Sequence, residues 1–296
     1  MNSKINHLII DLARCGIQPQ VIREFVEAAI GQKVCRTSLP DRTLPMVLDI
    51  LERHGIASGV STDKFYAPMD HGKGGWCNAA PIRLPASSTT GEHMVYSGID
   101  PEVVLSAIEA EDEGNDEEFG KLLDIPACCC LHYKRFIDSA SKLQNDLTLF
   151  TYRNTDYYNK LLAGTNHIPQ YFGYGLLSYF PCSFHCVETH KRTESVFSRL
   201  VEIAPEFAMS FLAHQRRAFL YTEYDGIFSF QGQWLSQQEF EIAPGTVLST
   251  SEGIMHSVIS SATSIFAKAP STFQIARHDT ISLDVESEFM AFLDFT

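Results

Sequence analysis

Phe219-Leu220-Tyr221-Thr222-Glu223-Tyr224-Asp225-Gly226-Ile227-Phe228-Ser229-Phe230 is the stretch on which the fold class turns. Aromatic and β-branched residues crowd both sides of Asp225-Gly226. An Asp-Gly pair between two such runs predicts a β-hairpin, because the tight turns that match strand twist need positive φ. Further along, Phe240-Glu241-Ile242, Thr246-Val247-Leu248, Ser257-Val258-Ile259 and Ile281-Ser282-Leu283 are short strand-like runs with turn residues between them. The C-terminal part is therefore expected to be an antiparallel sheet or small barrel.

Before the hairpin the pattern is helical. Ile5, Leu8, Ile9 and Leu12 recur at helical spacing, a second helix is expected from Pro19 to a stop at Gly31, and a third from Leu44 to His54 with Gly55 after it. Between Ser58 and Ser97 the periodicity fades. Asp100-Pro101-Glu102 reads as a capped helix start, with the helix running on through the acidic block that follows. A short amphipathic piece, Phe119 to Leu123, comes next, then a further start at Asp124-Ile125-Pro126. Helical patterns are expected from Asn145 to Leu162 and from Pro181 to about His214. Helices followed by strands predict an α+β protein, divided as a helical subdomain or lid (1–57), a mainly helical central domain carrying a cysteine-rich site (58–214) and an antiparallel β-rich part packed on it (215–296).

The chain has 296 residues and a net charge of −13, from 23 basic and 36 acidic side chains. Such a chain buries a large core without needing a metal merely to fold. The acidic balance argues against a nucleic-acid binder, which needs a basic face. Seven acidic residues fall between Glu109 and Glu118, in an order that does not match a calcium loop. They read as a solvated surface segment. No run approaches the length of a membrane span, and the N-terminus lacks the apolar core of a signal peptide. A cytoplasmic location is expected, where eight cysteines suggest metal or thiol chemistry more than disulfides.

Five of those cysteines stand in two short windows, Ile125-Pro126-Ala127-Cys128-Cys129-Cys130-Leu131-His132 and Phe180-Pro181-Cys182-Ser183-Phe184-His185-Cys186. In each, proline precedes cysteine at an expected helix start. The helix dipole and first-turn N–H groups there stabilise thiolate, the form that ligates metals and attacks electrophiles. Cys128, Cys129, Cys182 and Cys186 are the candidate ligands. Cys130 points elsewhere on a regular helix, and His132 or His185 could replace a thiolate, serve as acid/base or orient a ligand. Soft sulfur donors favour zinc, iron or an iron–sulfur cluster. Four thiolates closing the site would make it structural; three protein ligands with an open position would make it catalytic.

The motif pair Pro126-x-Cys128-Cys129 and Pro181-Cys182-Ser183-x-x-Cys186, within Gly120 to Cys186, resembles that of a poorly characterised prokaryotic family of unknown function. The resemblance implies that these four cysteines are the family positions, and it carries no activity. This chain differs in having Cys130 as a third consecutive cysteine.

Other motifs are absent or bland. There is no Gly-x-Ser-x-Gly elbow, no His-Glu-x-x-His and no dinucleotide fingerprint at Gly173-Tyr174-Gly175. The glycine-rich Asp70–Cys77 stretch reads as a surface loop, or as a substrate cover offering His71, Lys73 or Trp76. The aromatic cluster Tyr171, Phe172, Tyr174, Tyr179 and Phe180 reads as core, or as the wall of a pocket beside the metal. Arg216-Arg217 suits a helix end, or could bind a carboxylate. His256 and His278 read as ordinary residues. The sequence is read first as an enzyme acting on a small molecule through a cysteine-ligated metal; the alternatives are a binding or assembly protein with a structural zinc, and a metal-free thiol or sulfur-transfer enzyme using Cys128 or Cys182.

Overall fold

The computed structural model describes residues 2–31, 33–66, 82–140, 147–156, 160–278, 280–287 and 289–296. Its elements run α1 (Asn2–Arg14), α2 (Pro19–Ala29), β1 (Cys35–Leu39), α3 (Leu44–Arg53), β2 (Ala57–Tyr66), β3 (Ile82–Leu84), β4 (Glu92–Gly98), α4 (Pro101–Asp112), α5 (Asp116–Leu122) and α6 (Ala127–Ala140). Then follow α7 (Thr148–Arg153), α8 (Val187–Ile203), α9 (Pro205–Gln215), β5 (Ala218–Thr222), β6 (Ile227–Phe230), β7 (Gly232–Trp234), β8 (Glu239–Ile242) and β9 (Leu248–Ser249). The last are α10 (Ile254–Ser260), β10 (Ser264–Ala269), β11 (Thr272–Arg277), β12 (Thr280–Glu286) and β13 (Met290–Asp294). All described strand pairs are antiparallel, most strands lie in the C-terminal half, and the class is α+β. The Asp70–Cys77 stretch lies outside the described residues.

The chain forms two compact units. The first holds α1 to α5 and a four-stranded sheet of order β1-β4-β2-β3. Strands β2, β3 and β4 occupy the stretch where periodicity fades, and β1 lies before it. Strand β2 is rich in small and polar residues and carries a bulge between Val60 and Lys64, so no clean alternation survives. Strand β4 is buried over its last five residues. Val104 and Ala107 of α4 pack with Val34, Phe65, Met94 and Tyr96 in one cluster. The helix does not run through the acidic block. It ends at Asp112, Gly114 takes the left-handed φ of +69°, and Asn115 caps α5 by accepting from the Glu118 amide at 3.3 Å.

The second unit holds α7, α10 and two sheets, β13-β5-β6-β9 and β12-β11-β10-β8-β7. The hairpin forms as expected: Leu220 faces Phe228 across it, and Gly226 has φ +113°. Strand β5 is buried along its whole length, so both faces meet core. Phe219 and Tyr221 join Leu149, Ile168, Tyr171, Phe184 and Phe295 on one face. Ala218 and Leu220 join Phe228, Phe240, Ile265, Phe273 and Phe292 on the other. Ser257-Val258-Ile259 is not a strand. It lies in α10, where Met255, Val258 and the buried Ile259 turn one helical face to this second cluster, and tertiary packing outweighs the β preference of Val-Ile. Residues 160–162 are not helical either, and α7 spans only Thr148–Arg153.

Candidate metal centre

Each thiol-bearing segment is set by local backbone chemistry. After α5 the chain closes with Asp124 at φ +56° while the Asp124 and Ile125 amides donate to Lys121 and Gly120, each at 2.9 Å. The turn leads into α6, where the Cys129 and Cys130 amides both donate to the Pro126 carbonyl, at 2.8 and 3.1 Å. Cys128 and Cys129 therefore lie in the first helical turn, as the proline pattern implies. Cys130 faces back toward α5. Its Sγ lies 3.7 Å from the Ile125 carbonyl, and a Cβ on Gly120 would sit 2.6 Å from that sulfur. Burial first, then the neighbouring Cys128, push the Cys130 thiol above its ordinary range.

The second segment differs from its sequence reading. Pro181 does not open a helix; α8 begins at Val187, and Cys182 lies in the preceding turn. Side chains there supply the partners a helix would have supplied. Thr151 Oγ1 donates to the Pro181 carbonyl and Asn154 Nδ2 to the Cys182 carbonyl, both at 2.7 Å. Ser183 Oγ accepts the His185 amide at 3.0 Å, the hydroxyl turn that serine favours over helix. Phe184, fully buried, pins the turn with its amide on Thr155 Oγ1 (2.9 Å) and its carbonyl on Thr165 Oγ1 (2.8 Å). Cys186 stands immediately before α8 and accepts its first backbone bond, from His190 N at 3.0 Å. The helical run also breaks at Ala204-Pro205, where α9 starts afresh.

The Sγ atoms of Cys128, Cys129, Cys182 and Cys186 all lie within 4.8 Å of one another, and those of Cys128 and Cys129 are 3.9 Å apart. Sulfurs about 2.3 Å from one tetrahedral ion would be roughly 3.8 Å apart. The spacing thus suits a single ion, and the group can hold a metal. No disulfide joins the described cysteines. Cys129 and Cys186 are buried, Cys182 is half-buried and Cys128 is exposed. Three of the four thiols sit at the starts of helices of 14 and 17 residues.

Neither candidate histidine is part of the group. His185 Nε2 donates to the Lys160 carbonyl at 3.1 Å. His132 is buried, and burial followed by Arg135 lowers its pKa, so it stays neutral. One feature gave no signal in the sequence. Arg192 of α8 reaches Asp124 just before α6 (Nε to Oδ2, 3.0 Å) and lies 3.5 Å from the buried Glu27.

No family model, curated protein or solved structure matches the chain. No described helix is long and apolar enough to cross a membrane.

Proposed function

We propose that this chain is a binding or assembly protein that holds one zinc ion in a structural tetrathiolate site made by Cys128, Cys129, Cys182 and Cys186. The observation that carries the reading is the mutual approach of four sulfurs within 4.8 Å with no histidine among them. Four thiolates use every position of a tetrahedral ion and leave none for water or substrate. An iron–sulfur cluster sets different irons behind its thiolates and spreads the terminal sulfurs further than one ion does, which favours a mononuclear site. Zinc suits soft ligands and imposes no redox chemistry on the fold.

A second reading, an enzyme acting on a small molecule, is favoured by one observation: Cys128 is exposed. It is the most exposed of the four and the one whose departure would open a coordination position.

The test is elemental analysis of protein purified without oxygen, followed by replacement with cobalt(II). The expected result is one zinc per chain and, with cobalt, the charge-transfer bands of a tetrahedral tetrathiolate. Cys130→Ser should leave both unchanged, whereas Cys182→Ser should change the cobalt spectrum. Visible iron bands in the purified protein would favour the enzyme. Absence of metal, with a rapidly alkylated Cys128 or Cys182, would replace both readings by metal-free thiol chemistry.

A further inference from the structure

The Arg216-Arg217 pair divides its labour. Arg217 turns inward: its Nε donates to Ser229 Oγ at 2.6 Å and its Nη2 to the Thr246 carbonyl, and burial lowers its pKa. Arg216, the residue after α9, turns outward and lines a cleft of about 440 Å³. Lys160 and His190 line the same cleft, with Leu161, Leu162 and Phe295 as its apolar wall. Ala163 and Thr296 complete the lining, and among the described residues no aspartate or glutamate side chain lines it. Neither Lys160 nor Arg216 has an ion-pair partner among the described residues. In a protein of net charge −13 this is a local reversal of sign, and a concave cationic surface concentrates anions.

The cleft is built rather than incidental. Its Lys160–Leu162 wall is tied to the buried Phe184 turn, with the Leu162 amide on the Phe184 carbonyl at 3.1 Å and His185 on the Lys160 carbonyl. His190, in the first turn of α8, packs directly on Gly164; a Cβ there would come within 2.5 Å of its Nδ1. Glycine is what lets the imidazole reach this wall. Phe295 is held by its amide on the Arg217 carbonyl (3.3 Å) and by edge-on contact with Phe184, centroids 5.2 Å apart.

The geometry points to a binding site for a small organic anion, one carboxylate or phosphate group on an apolar body. Arg216 and Lys160 receive the charged group, Arg216 with two parallel N–H donors, and Leu161, Leu162 and Phe295 receive the body. The site contains none of the four clustered cysteines and does not depend on the metal reading.

Calorimetric titration of the purified full chain with phenyl phosphate, benzoate and inorganic phosphate tests it. The expected result is saturable binding of phenyl phosphate or benzoate at one site per chain, the preferred one identifying the charged group. That ligand should bind about tenfold or more tighter than inorganic phosphate, through the buried ring. Arg216→Gln and Lys160→Gln should each weaken it about tenfold or more. Both residues are exposed, so the variants should keep the parent melting temperature. Metal content measured on the same samples keeps this test separate from that of the thiolate centre. No saturable binding, equal binding of inorganic phosphate, or unchanged affinity in both variants would overturn the proposal.

Discussion

Arg23 has no exposed surface, yet it carries a charge among others. Its guanidinium pairs with Glu24 and Glu27, and Lys33 Nζ lies 3.0 Å from Glu24 and 3.3 Å from Glu27. Charges this deep survive only when each is compensated. Burial alone would raise the Glu24 carboxyl, but Arg23 and then Lys33 outweigh it and hold the pKa down to about 2. Its ordinary value is 4.5. A carboxylate held down in the folded state stabilises fully above its unfolded value, and the contribution fades as pH falls toward its folded one. The wild type should therefore lose more stability than Glu24→Gln as pH falls from 4.5 to 2. Urea unfolding across that range measures the difference, and parallel profiles for the two proteins would refute it. Cys35 lies in the same surroundings, where burial pushes its thiol well above the ordinary range. It stays protonated and inert. None of this was legible in the sequence. Ile22, Phe25 and Val26 mark α2 as an amphipathic helix, whose charged residues would ordinarily face water. Here both faces are buried.

At the scale of elements, readability followed the ends. Helices α2 and α3 were legible at their ends because a left-handed glycine follows each, at Gly31 and Gly55. Helix α4 was legible at its Asp100-Pro101 start, whereas its end before Gly114 was not, the expected helix running on through the acidic block. The Asp-Gly hairpin was legible for the same reason as the ends of α2 and α3: backbone conformation there is demanded by the turn. What failed was periodicity without punctuation. Strand β2 is interrupted by its bulge, and α10 is too short for a helical period to emerge from Ser257-Val258-Ile259. Pro181 misled because serine and asparagine side chains can satisfy the backbone of a turn as well as a helix does. The cap of α4 offers a clean measurement. Asp100 is exposed, and its carboxylate accepts the Glu102 amide at 2.9 Å, so truncation removes the cap and little else. Asp100→Ala should cost about 1 kcal/mol and Asp100→Asn much less. Equal midpoints in urea for Ala, Asn and wild type would show that the cap contributes nothing.

At the scale of the molecule, the four-thiol group was the part of the candidate site most open to sequence reading, because thiols beside helix starts leave a local trace. The cleft at Lys160, His190 and Arg216 was not, since its residues are scattered and only folding assembles them. The thiols themselves span about fifty residues of chain between Cys129 and Cys182. An ion that needs all four exists only when that long loop is closed, so binding free energy becomes folding free energy. Under the structural reading, stability should rise with free zinc by about 1.4 kcal/mol per tenfold increase above the dissociation constant. Cys182→Ser, which leaves three thiolates, should flatten that dependence, and Cys130→Ser, whose sulfur faces Ile125, should preserve it. Thermal unfolding in zinc buffers of defined free concentration gives the slope directly. If wild type and Cys182→Ser melt at the same temperature at every zinc level, the ion does not support the fold. The exposed Cys128 would then mark the group as a reactive site rather than a structural one.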